Sequence, residues 1–303
     1  MGRSLRPDLL RLGERLETLR REWSGRRLDS DPLAFPHGFT DPADREVVAF
    51  LAASLAFGRV ASIKRSIGRV LDALGPSPAA FLEKWDGSRI GGLASFVHRW
   101  VTREDLEEFL RKVKNARERH GSLGALFAKC DPGGEDYAAA LSTFYENLRD
   151  LPVPRVQLSR GLRFLLPSPG DGSACKRAHL FLRWMVRSGD FDLGLWTGGR
   201  FSPARLLLPM DTHVHRISTY LGLTRRKTAD LAAAREATGF LRLLLPEDPV
   251  AYDWSLSRLG ILAECVRERT RRHCLRCAVR PVCRVSLVPS SVPVPALAPA
   301  AAA

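Results

Sequence analysis

The chain has 303 residues, which is enough for one large domain or two smaller ones with a buried core. Hydrophobic residues make up 45% and charged residues 26%, a balance typical of globular proteins and not of disordered chains. No apolar run approaches the roughly 20 residues that a membrane helix needs. The net charge of +14 favours a polyanionic partner, and nucleic acid fits better than a membrane surface.

The first 23 residues, MGRSLRPDLLRLGERLETLRREW, are charged and amphipathic, unlike a signal peptide. Leucines and Trp23 recur at helical spacing and predict a first helix over residues 5–23. We therefore expect a cytoplasmic protein, in which thiols stay reduced. In that compartment clustered cysteines bind metal more often than they form disulfides.

Helical patterns dominate the rest of the chain. Thr40, Asp41 and Pro42 form a strong helix start, because a capping residue precedes a proline in the first turn. This helix runs to Gly58, and its small side chains predict close packing against its neighbours. Alternating strand patterns are nearly absent, so the predicted fold class is all-α. Further helices are predicted at residues 60–74, 78–85, 103–117, 122–129, 135–149, 174–187, 212–221, 228–244 and 249–264.

The last residues, 286–303, are rich in Pro, Ala and Ser and carry no charged side chain. A segment of this composition cannot bury enough apolar surface to pack a core. We therefore expect this tail to be disordered.

Four of the six cysteines lie in one basic stretch, Cys265, Cys274, Cys277 and Cys283, with gaps of eight, two and five residues. Four thiolates can complete a Zn²⁺ site or a [4Fe–4S] cluster. Packing as small hydrophobic side chains is disfavoured, because arginines and a proline surround them. Zinc normally uses two separate CxxC-type pairs, so a single CxxC flanked by lone cysteines favours the cluster, with zinc as the alternative.

Seven arginines lie among these cysteines or directly after them. A cluster held by four thiolates is negatively charged, so nearby cations would offset its charge. The surplus can face a phosphate backbone, with Arg276 and Arg280 as candidate contacts. The stretch would then position a basic loop on nucleic acid.

A second candidate site is the turn before Lys176. Gly172, Ser173 and Ala174 precede this lysine at a predicted helix start, where backbone N–H groups can bind an anion. The helix dipole disfavours the ammonium form of a lysine in the first turn, and a neutral amine is a competent nucleophile. The alternative is an exposed lysine in an ordinary helix.

A third candidate is Asp211, which follows an apolar run and precedes the helical pattern THVHRI. Its simplest role is the N-cap of that helix. Its functional interpretation is a carboxylate that stabilises a cationic transition state or activates water. His213 and His215 are not a metal pair, because positions two apart on a helix point to different faces.

These pieces, in this order, resemble the helix-hairpin-helix DNA glycosylase superfamily of the endonuclease III type. The stretch MDTHVHRISTYLGL, residues 210–223, is similar to the aspartate element of that family and includes Arg216. Gly172-x-Ala174-x-Lys176 is similar to its hairpin, with one glycine replaced. More narrowly, residues 30–285 resemble the uncharacterised bacterial DUF2400 family through FPHGFTDPADREVVAFLAASLAFGRV, SACKRAHLFLRWMVR and DPVAYDWSLSRLG.

The resemblance implies a two-lobed helix-hairpin-helix glycosylase fold with a C-terminal iron–sulfur loop at 264–284. One lobe would be a helical barrel over residues 43–186, and the other would combine residues 1–42 with 187–285. Lys176 and Asp211 would face the cleft between the lobes. A damaged base would be flipped out of the duplex into this cleft.

The resemblance also assigns roles to single residues. Asp211 would be the catalytic carboxylate, Lys176 the Schiff-base nucleophile of a glycosylase with lyase activity, and the four cysteines the cluster ligands. Gly172, Ser173, Ala174 and Arg216 would contact DNA. The expected protein is a monomer that repairs damaged duplex DNA.

Departures from the family leave other functions open. The first cysteine gap is longer, and the segment RSGDFDLGLWTGGRFSP lengthens the separation of Lys176 from Asp211. The glutamine that endonuclease III types insert into the duplex is missing, and Phe57 or Arg59 stands near that place. The alternatives are a nucleic-acid-binding protein that keeps the fold without catalysis, or a zinc-stabilised RNA-processing factor.

Overall fold

The computed structural model describes residues 9–23, 28–151, 158–196, 199–261 and 265–293. The chain forms two compact units. The continuous unit spans residues 27–202, and the discontinuous unit combines residues 1–26 with 203–303. The described residues are mostly helical, which confirms the predicted all-α class. Among them, no helix is both long enough and apolar enough to cross a membrane.

The elements of the continuous unit are α2 Ala34–His37, α3 Pro42–Ser54, α4 Val60–Leu74, α5 Pro78–Lys84, β1 Val97–His98, β2 Val101–Thr102, α6 Arg103–His120, α7 Leu123–Cys130, α8 Ala138–Asp150, α9 Arg160–Leu165, α10 Lys176–Val186, β3 Ser188–Gly189 and β4 Asp192–Leu193. Those of the discontinuous unit are α1 Leu9–Trp23, α11 Thr212–Leu221, α12 Leu231–Leu244, α13 Asp253–Ile261 and α14 Arg271–Arg276. The strands form two antiparallel hairpins, β1 with β2 and β3 with β4.

Apolar spacing located the long helices and missed the short ones, although α3 ends at Ser54 and not at Gly58, and α13 begins at Asp253 and not at residue 249. The bounds of α4 and α11 agree with prediction, whereas α2, α9 and α14 are too short to show a helical period. Helix α12 begins three residues later than predicted, because the side chain of Asp230 accepts the backbone N–H of Ala233 and caps the helix there.

The core of the continuous unit forms around α3, whose residues 47–53 are all buried. The ring of Phe50 is stacked on Phe109 and also contacts the rings of Phe144, Tyr145 and Phe181. Helix α3 packs against α2, α5 and α10. The alanines of α3 permit this close approach, as their spacing predicted.

The turn-rich segment after α10 belongs to the continuous unit. The side chain of Asp192 in β4 is buried and accepts hydrogen bonds from Arg183 and Arg187 at the end of α10, with Arg187 Nη1 at 2.7 Å. Farther on, the backbone N–H of Trp196 donates to the carbonyl of Met185 at 2.8 Å. These contacts attach residues 187–196 to α10, so this part of the segment groups with residues 43–186, unlike the predicted lobes.

The same segment fills the core through one side chain. The ring of Trp196 is stacked on Phe127 in α7, and its Nε1 donates to Glu46 Oε1 at 2.8 Å. Helix α7 approaches so closely that a Cβ on Gly124 would lie 2.6 Å from Nε1 of Trp196. The segment is therefore a packed part of the fold.

We expect Gly124→Ala to destabilise the protein by about 1–3 kcal/mol, since the added methyl overpacks against the Trp196 ring. Gly68→Ala is the matched control: Gly68 lies inside α4, and a Cβ there would meet no atom within 4 Å. That control should stabilise by about 0.5–1 kcal/mol through helix propensity alone. Urea denaturation measures both, and equal effects would contradict the packing described for Trp196.

The discontinuous unit is a small helical cluster. Helix α1 buries Leu12, Leu16, Leu19 and Trp23 and packs against α12 and α13. Helix α11 packs against the same two helices. This packing fixes the position of α11, which makes up most of the aspartate element at residues 210–223.

Candidate functional site

The four clustered cysteines line one cavity in the discontinuous unit. Cys265, Cys274, Cys277 and Cys283 surround it together with Tyr220, Val266, Arg269, His273, Arg280 and Ser286. The cysteine loop, which we define as residues 265–284, contains α14 and a 3₁₀ turn at Arg280–Val282. These two turns of helix fold the widely spaced cysteines back toward one another.

Hydrogen-bond donors converge on the sulfur atoms. Backbone N–H groups of Val279 and Val285 donate to Cys277 and Cys283, and the N–H of Leu287 lies 3.5 Å from Cys274 Sγ. A neutral thiol is a weak acceptor, so donors aimed at sulfur suit a thiolate. Thiolate sulfur is also the ligand form that Zn²⁺ and iron–sulfur clusters need.

Arg280 adds positive charge at the same cavity. Its side chain is 1% exposed, and Nη2 donates to the carbonyl oxygen of Val292. Its Nε and Nη1 are buried without a hydrogen-bond partner among the described residues. A buried guanidinium is costly unless negative charge offsets it, so these atoms fit an anionic group in the cavity.

Burial raises the pKa of the Cys265, Cys277 and Cys283 thiols, to about 12 for Cys277. Buried thiols therefore ionise only beside a cation, and a bound metal supplies one. In the described ranges, no group of three or more His, Cys, Asp or Glu side chains is arranged so that it could hold a metal ion. The fit to a metal group thus rests on the donor chemistry of the cavity, which suits both [4Fe–4S] and Zn²⁺.

The arginines of the cysteine loop differ in their exposure to solvent. Arg267, Arg271, Arg272 and Arg276 are exposed, and the last three lie on α14. Arg280 is buried at the cavity, where it is inaccessible to a phosphate backbone. Arg276 therefore keeps its predicted place on the surface, and Arg280 belongs to the cysteine cavity. Glu264, the first residue of the predicted loop, lies outside the described residues.

Asp211 is the N-cap of α11. Its Oδ1 accepts the backbone N–H groups of His213 and Val214, each at 2.9 Å. The residue is half-buried, and it takes the extended conformation that N-caps require. The simplest sequence interpretation of this aspartate is thus correct, and the cap also holds the carboxylate in a fixed orientation.

Both ends of the cysteine loop contact α11. Arg216 donates from Nη2 to the carbonyl of Cys265 at 2.6 Å, so this predicted DNA contact lies against the loop. At the other end, the N–H of Arg284 donates to the carbonyl of Tyr220 at 2.9 Å, and Arg269 stacks on the Tyr220 ring. The cysteine cavity and the Asp211 helix are therefore one structural assembly.

The predicted hairpin is a tight turn that leads into α10. Gly172 has a φ of 80°, Ser173 is exposed, Ala174 is buried, and Lys176 is half-buried at the first position of the helix. Cys175 precedes it with a φ of 41°. This left-handed residue ends the turn, so α10 begins at Lys176 and not at 174 as predicted.

The two remaining cysteines are buried in the continuous unit. Cys130 is 7% exposed and Cys175 is 5% exposed. Burial raises the pKa of the Cys175 thiol to about 11, so it stays neutral at physiological pH. Cys175 thus fits the packing role that the sequence suggested, although it adjoins Lys176.

The sequence interpretation missed an aromatic cluster next to the hairpin, formed by Phe57, Trp100 and Phe164. Arg177, the residue after Lys176, places its guanidinium 4.1 Å from the centroid of the Phe164 ring and 5.1 Å from that of Phe57. These rings come from three distant parts of the chain. Of the three, only Phe57 stands at a position that the sequence indicates, close to the place of the missing glutamine.

Comparison with known proteins identifies a family for most of the chain. The family profile described as a protein of unknown function, DUF2400, matches residues 31–262, which is more than half of the chain. No curated protein and no solved structure matches this chain. The match includes the hairpin before Lys176, the aromatic cluster and Asp211, and it ends just before the cysteine loop. The chain therefore belongs to the DUF2400 family.

Proposed function

We propose that this protein is a DNA glycosylase that excises damaged bases and that can also cleave the strand at the resulting abasic site. The observation that carries the proposal is the attachment of the Asp211 helix to a four-thiol cavity through Arg216. In the helix-hairpin-helix glycosylases that the sequence resembles, an aspartate element and a four-cysteine loop occur together. The contact between the Asp211 helix and the cysteine loop in this chain supports the same pairing of elements.

Asp211 would stabilise the positive charge that develops on the sugar. As the N-glycosidic bond breaks, the base leaves with the bonding electrons and C1′ becomes an oxocarbenium ion. The N–H groups of His213 and Val214 favour the ionised carboxylate, so Asp211 can oppose that charge. Water then adds to C1′ and loses a proton, and this completes hydrolysis.

Lys176 would supply the strand-cleaving step. Its neutral amine would attack C1′ of the opened sugar and lose water to form an imine. Loss of a proton from C2′ then expels the 3′ phosphate by β-elimination. The turn before α10 directs backbone N–H groups at the start of the helix, and such a turn suits a phosphate of the same strand.

DNA contacts would come from exposed cations. Arg271, Arg272 and Arg276 lie on the surface of α14, and the whole chain has a net charge of +14. Arginine side chains in this setting bind phosphate without reading sequence. We therefore propose the cysteine loop as a backbone clasp on duplex DNA, with a strong dependence of affinity on salt.

The four cysteines would hold a [4Fe–4S] cluster, with zinc as the alternative. Bound there, the group would supply positive charge at iron or zinc to four thiolates and fix the fold of the loop. Arg280 would offset the negative charge of the thiolates from inside the cavity. The metal group would have a structural role. It would hold the cysteine loop, and the loop in turn would hold α11 in place for the reaction.

Asp211→Asn should reduce base excision at least about 100-fold while leaving stability nearly unchanged. Asparagine is as good an N-cap as aspartate, so the variant separates capping from charge. The measurement is base release from duplexes that carry oxidised, alkylated or deaminated bases, alongside a thermal melt. Excision at the wild-type rate would overturn the role of Asp211.

Lys176→Gln should abolish the covalent adduct that borohydride traps on abasic DNA, because only an amine forms the imine. Lys176→Arg is the matched control that keeps the positive charge, and it should lose the adduct while retaining DNA affinity. An adduct of wild-type yield in Lys176→Gln would remove this residue from the mechanism.

Tight, salt-dependent binding without turnover on any of these bases would favour the non-catalytic DNA-binding alternative. Zinc in the cysteine cavity together with a preference for RNA would favour the RNA-processing alternative.

A further inference from the structure

The aromatic cluster of Phe57, Trp100 and Phe164 forms a surface that the proposed chemistry does not use. Trp100 lies in the turn between β1 and β2, and 36% of its surface is exposed. Its ring contacts Phe57 at a centroid distance of 5.4 Å and meets the edge of Phe164 at 4.8 Å. Trp100 therefore presents an exposed aromatic ring that two further rings support, and we call these three rings the platform.

The platform is held rigidly from behind. His98 meets the Phe57 ring edge-on at 4.5 Å, and its ring nitrogens lie within hydrogen-bond distance of the Phe57 carbonyl and Ser66 Oγ. Arg177 donates to the carbonyls of Ser54 and Phe164, which fixes both neighbouring backbones. A ligand that stacks here would therefore meet rings that are already in place.

Arginines rim the exposed side of the platform. The guanidinium carbons of Arg99 and Arg160 lie 4.9 and 5.7 Å from the centroid of the Trp100 ring, and both side chains are exposed. Arg99 also has a φ of 57°, a strained value for a residue with a side chain. Aromatic rings interleaved with exposed arginines are the pattern that binds unpaired nucleotides, in which bases stack and phosphates pair with cations.

An incoming base can replace the arginines on the ring. A cation–π contact at an exposed site is weaker than the stacking of a nucleobase on an aromatic side chain. A displaced Arg99 or Arg160 would then be available for the phosphate beside the stacked base. The two kinds of contact therefore add to one another in a nucleotide complex.

We propose that Trp100 is the stacking site for an unpaired nucleobase of single-stranded or locally opened DNA, with Arg99 and Arg160 on its flanking phosphates. The inference rests on the DNA-binding part of the proposed function and is independent of its chemistry. Arg177 contacts the Phe57 ring of the platform and directly follows Lys176 in the chain, so a base stacked on Trp100 would lie on the same unit as the proposed nucleophile.

The test compares Trp100→Ala with Trp100→Phe by fluorescence anisotropy, at one fixed salt concentration. The probes are a labelled thymine 12-mer and a fully paired duplex. Trp100→Ala should bind the single strand about tenfold more weakly than the wild type, and Trp100→Phe should lose about threefold or less, because it keeps a ring. Duplex affinity should stay within about twofold for both variants. A thermal melt confirms that each variant is folded.

The outcomes separate this inference from the proposed function. Wild-type single-strand affinity in Trp100→Ala would overturn the stacking site and leave base excision by Asp211 untouched. Equal loss on single strand and paired duplex would also overturn it, since Trp100 would then support the fold or the phosphate contacts in general. A wild-type protein that binds neither probe would overturn both the stacking site and the glycosylase proposal.

Discussion

Replacing Cys277 by serine is expected to prevent binding of the proposed metal group in the cysteine cavity and to lower the melting temperature by about 10 °C or more. Cys277 lines the cavity with the other three thiols, and Val279 donates to its sulfur. Because metal-binding free energy is folding free energy in such loops, its loss destabilises the surrounding structure by several kcal/mol. Iron, acid-labile sulfide and zinc per chain, measured on anaerobically purified protein, report the first effect.

The loss should extend from the loop into α11. Arg216 bonds the Cys265 carbonyl and Arg284 bonds the Tyr220 carbonyl, so unfolding of the loop releases both contacts. Hydrogen exchange should therefore accelerate in α11 and stay slow in α3 of the continuous unit. A Cys277→Ser protein with full metal content and a protected α11 would contradict this account.

Cys130→Ser is the matched control for the cysteine experiment. Cys130 is a buried thiol in the continuous unit, away from the cysteine loop. We expect unchanged metal content and a small loss of stability from the polar substitution. In the wild type, about four irons and four sulfides would identify the cluster, whereas one zinc without sulfide would identify the alternative.

Glu46→Leu should destabilise the protein by about 3–5 kcal/mol. The carboxylate of Glu46 accepts the N–H groups of Leu123 and Gly124, each at 2.9 Å, and the Nε1 of Trp196 at 2.8 Å. It also lies 3.7 Å from the buried guanidinium of Arg117. Leucine accepts no hydrogen bond, so it would leave these buried N–H donors unpaired and would remove the buried one of the two carboxylates beside Arg117.

Glu83→Leu gives a control on the same arginine. Glu83 lies 3.1 Å from Arg117, closer than Glu46 does, but its side chain is 62% exposed. Solvent weakens such a pair to about 1 kcal/mol or less. Urea denaturation of both variants should thus show a large loss only for Glu46→Leu. Similar losses of unfolding free energy would mean that Glu46 stabilises the protein through its ion pair with Arg117 and not through the buried N–H donors.

Much of the local structure could be predicted from the sequence, because the relevant signals lie within a few residues of one another. Asp211 precedes an apolar helical pattern, and it is the N-cap of α11 as that pattern indicates. The four clustered cysteines share a cavity, as their common stretch suggested. Their metal and the chemistry of Asp211 and Lys176 stay predictions.

Contacts between distant segments could not be predicted in the same way. Nothing near Glu46 in the sequence indicates that Trp196 donates to it, 150 residues away. Trp100 and Phe164 meet only because the β1–β2 turn and α9 are folded together. The opposite fates of Arg276 and Arg280 also depend on the loop fold, since both are arginines of the same basic stretch.

The discontinuous unit has a consequence for translation. Helix α1 emerges from the ribosome more than 200 residues before its packing partners α12 and α13 are made. At a synthesis rate of about 5–20 residues per second, the apolar face of Leu12, Leu16 and Leu19 stays without its packing partners for roughly 10–40 seconds. The continuous unit can fold during that interval. In a circular permutant, residues 1–26 could follow α14, so that α1 would be made directly after its packing partners. Its apolar face would then be exposed only briefly, and the nascent chain would need protection by chaperones for a shorter time.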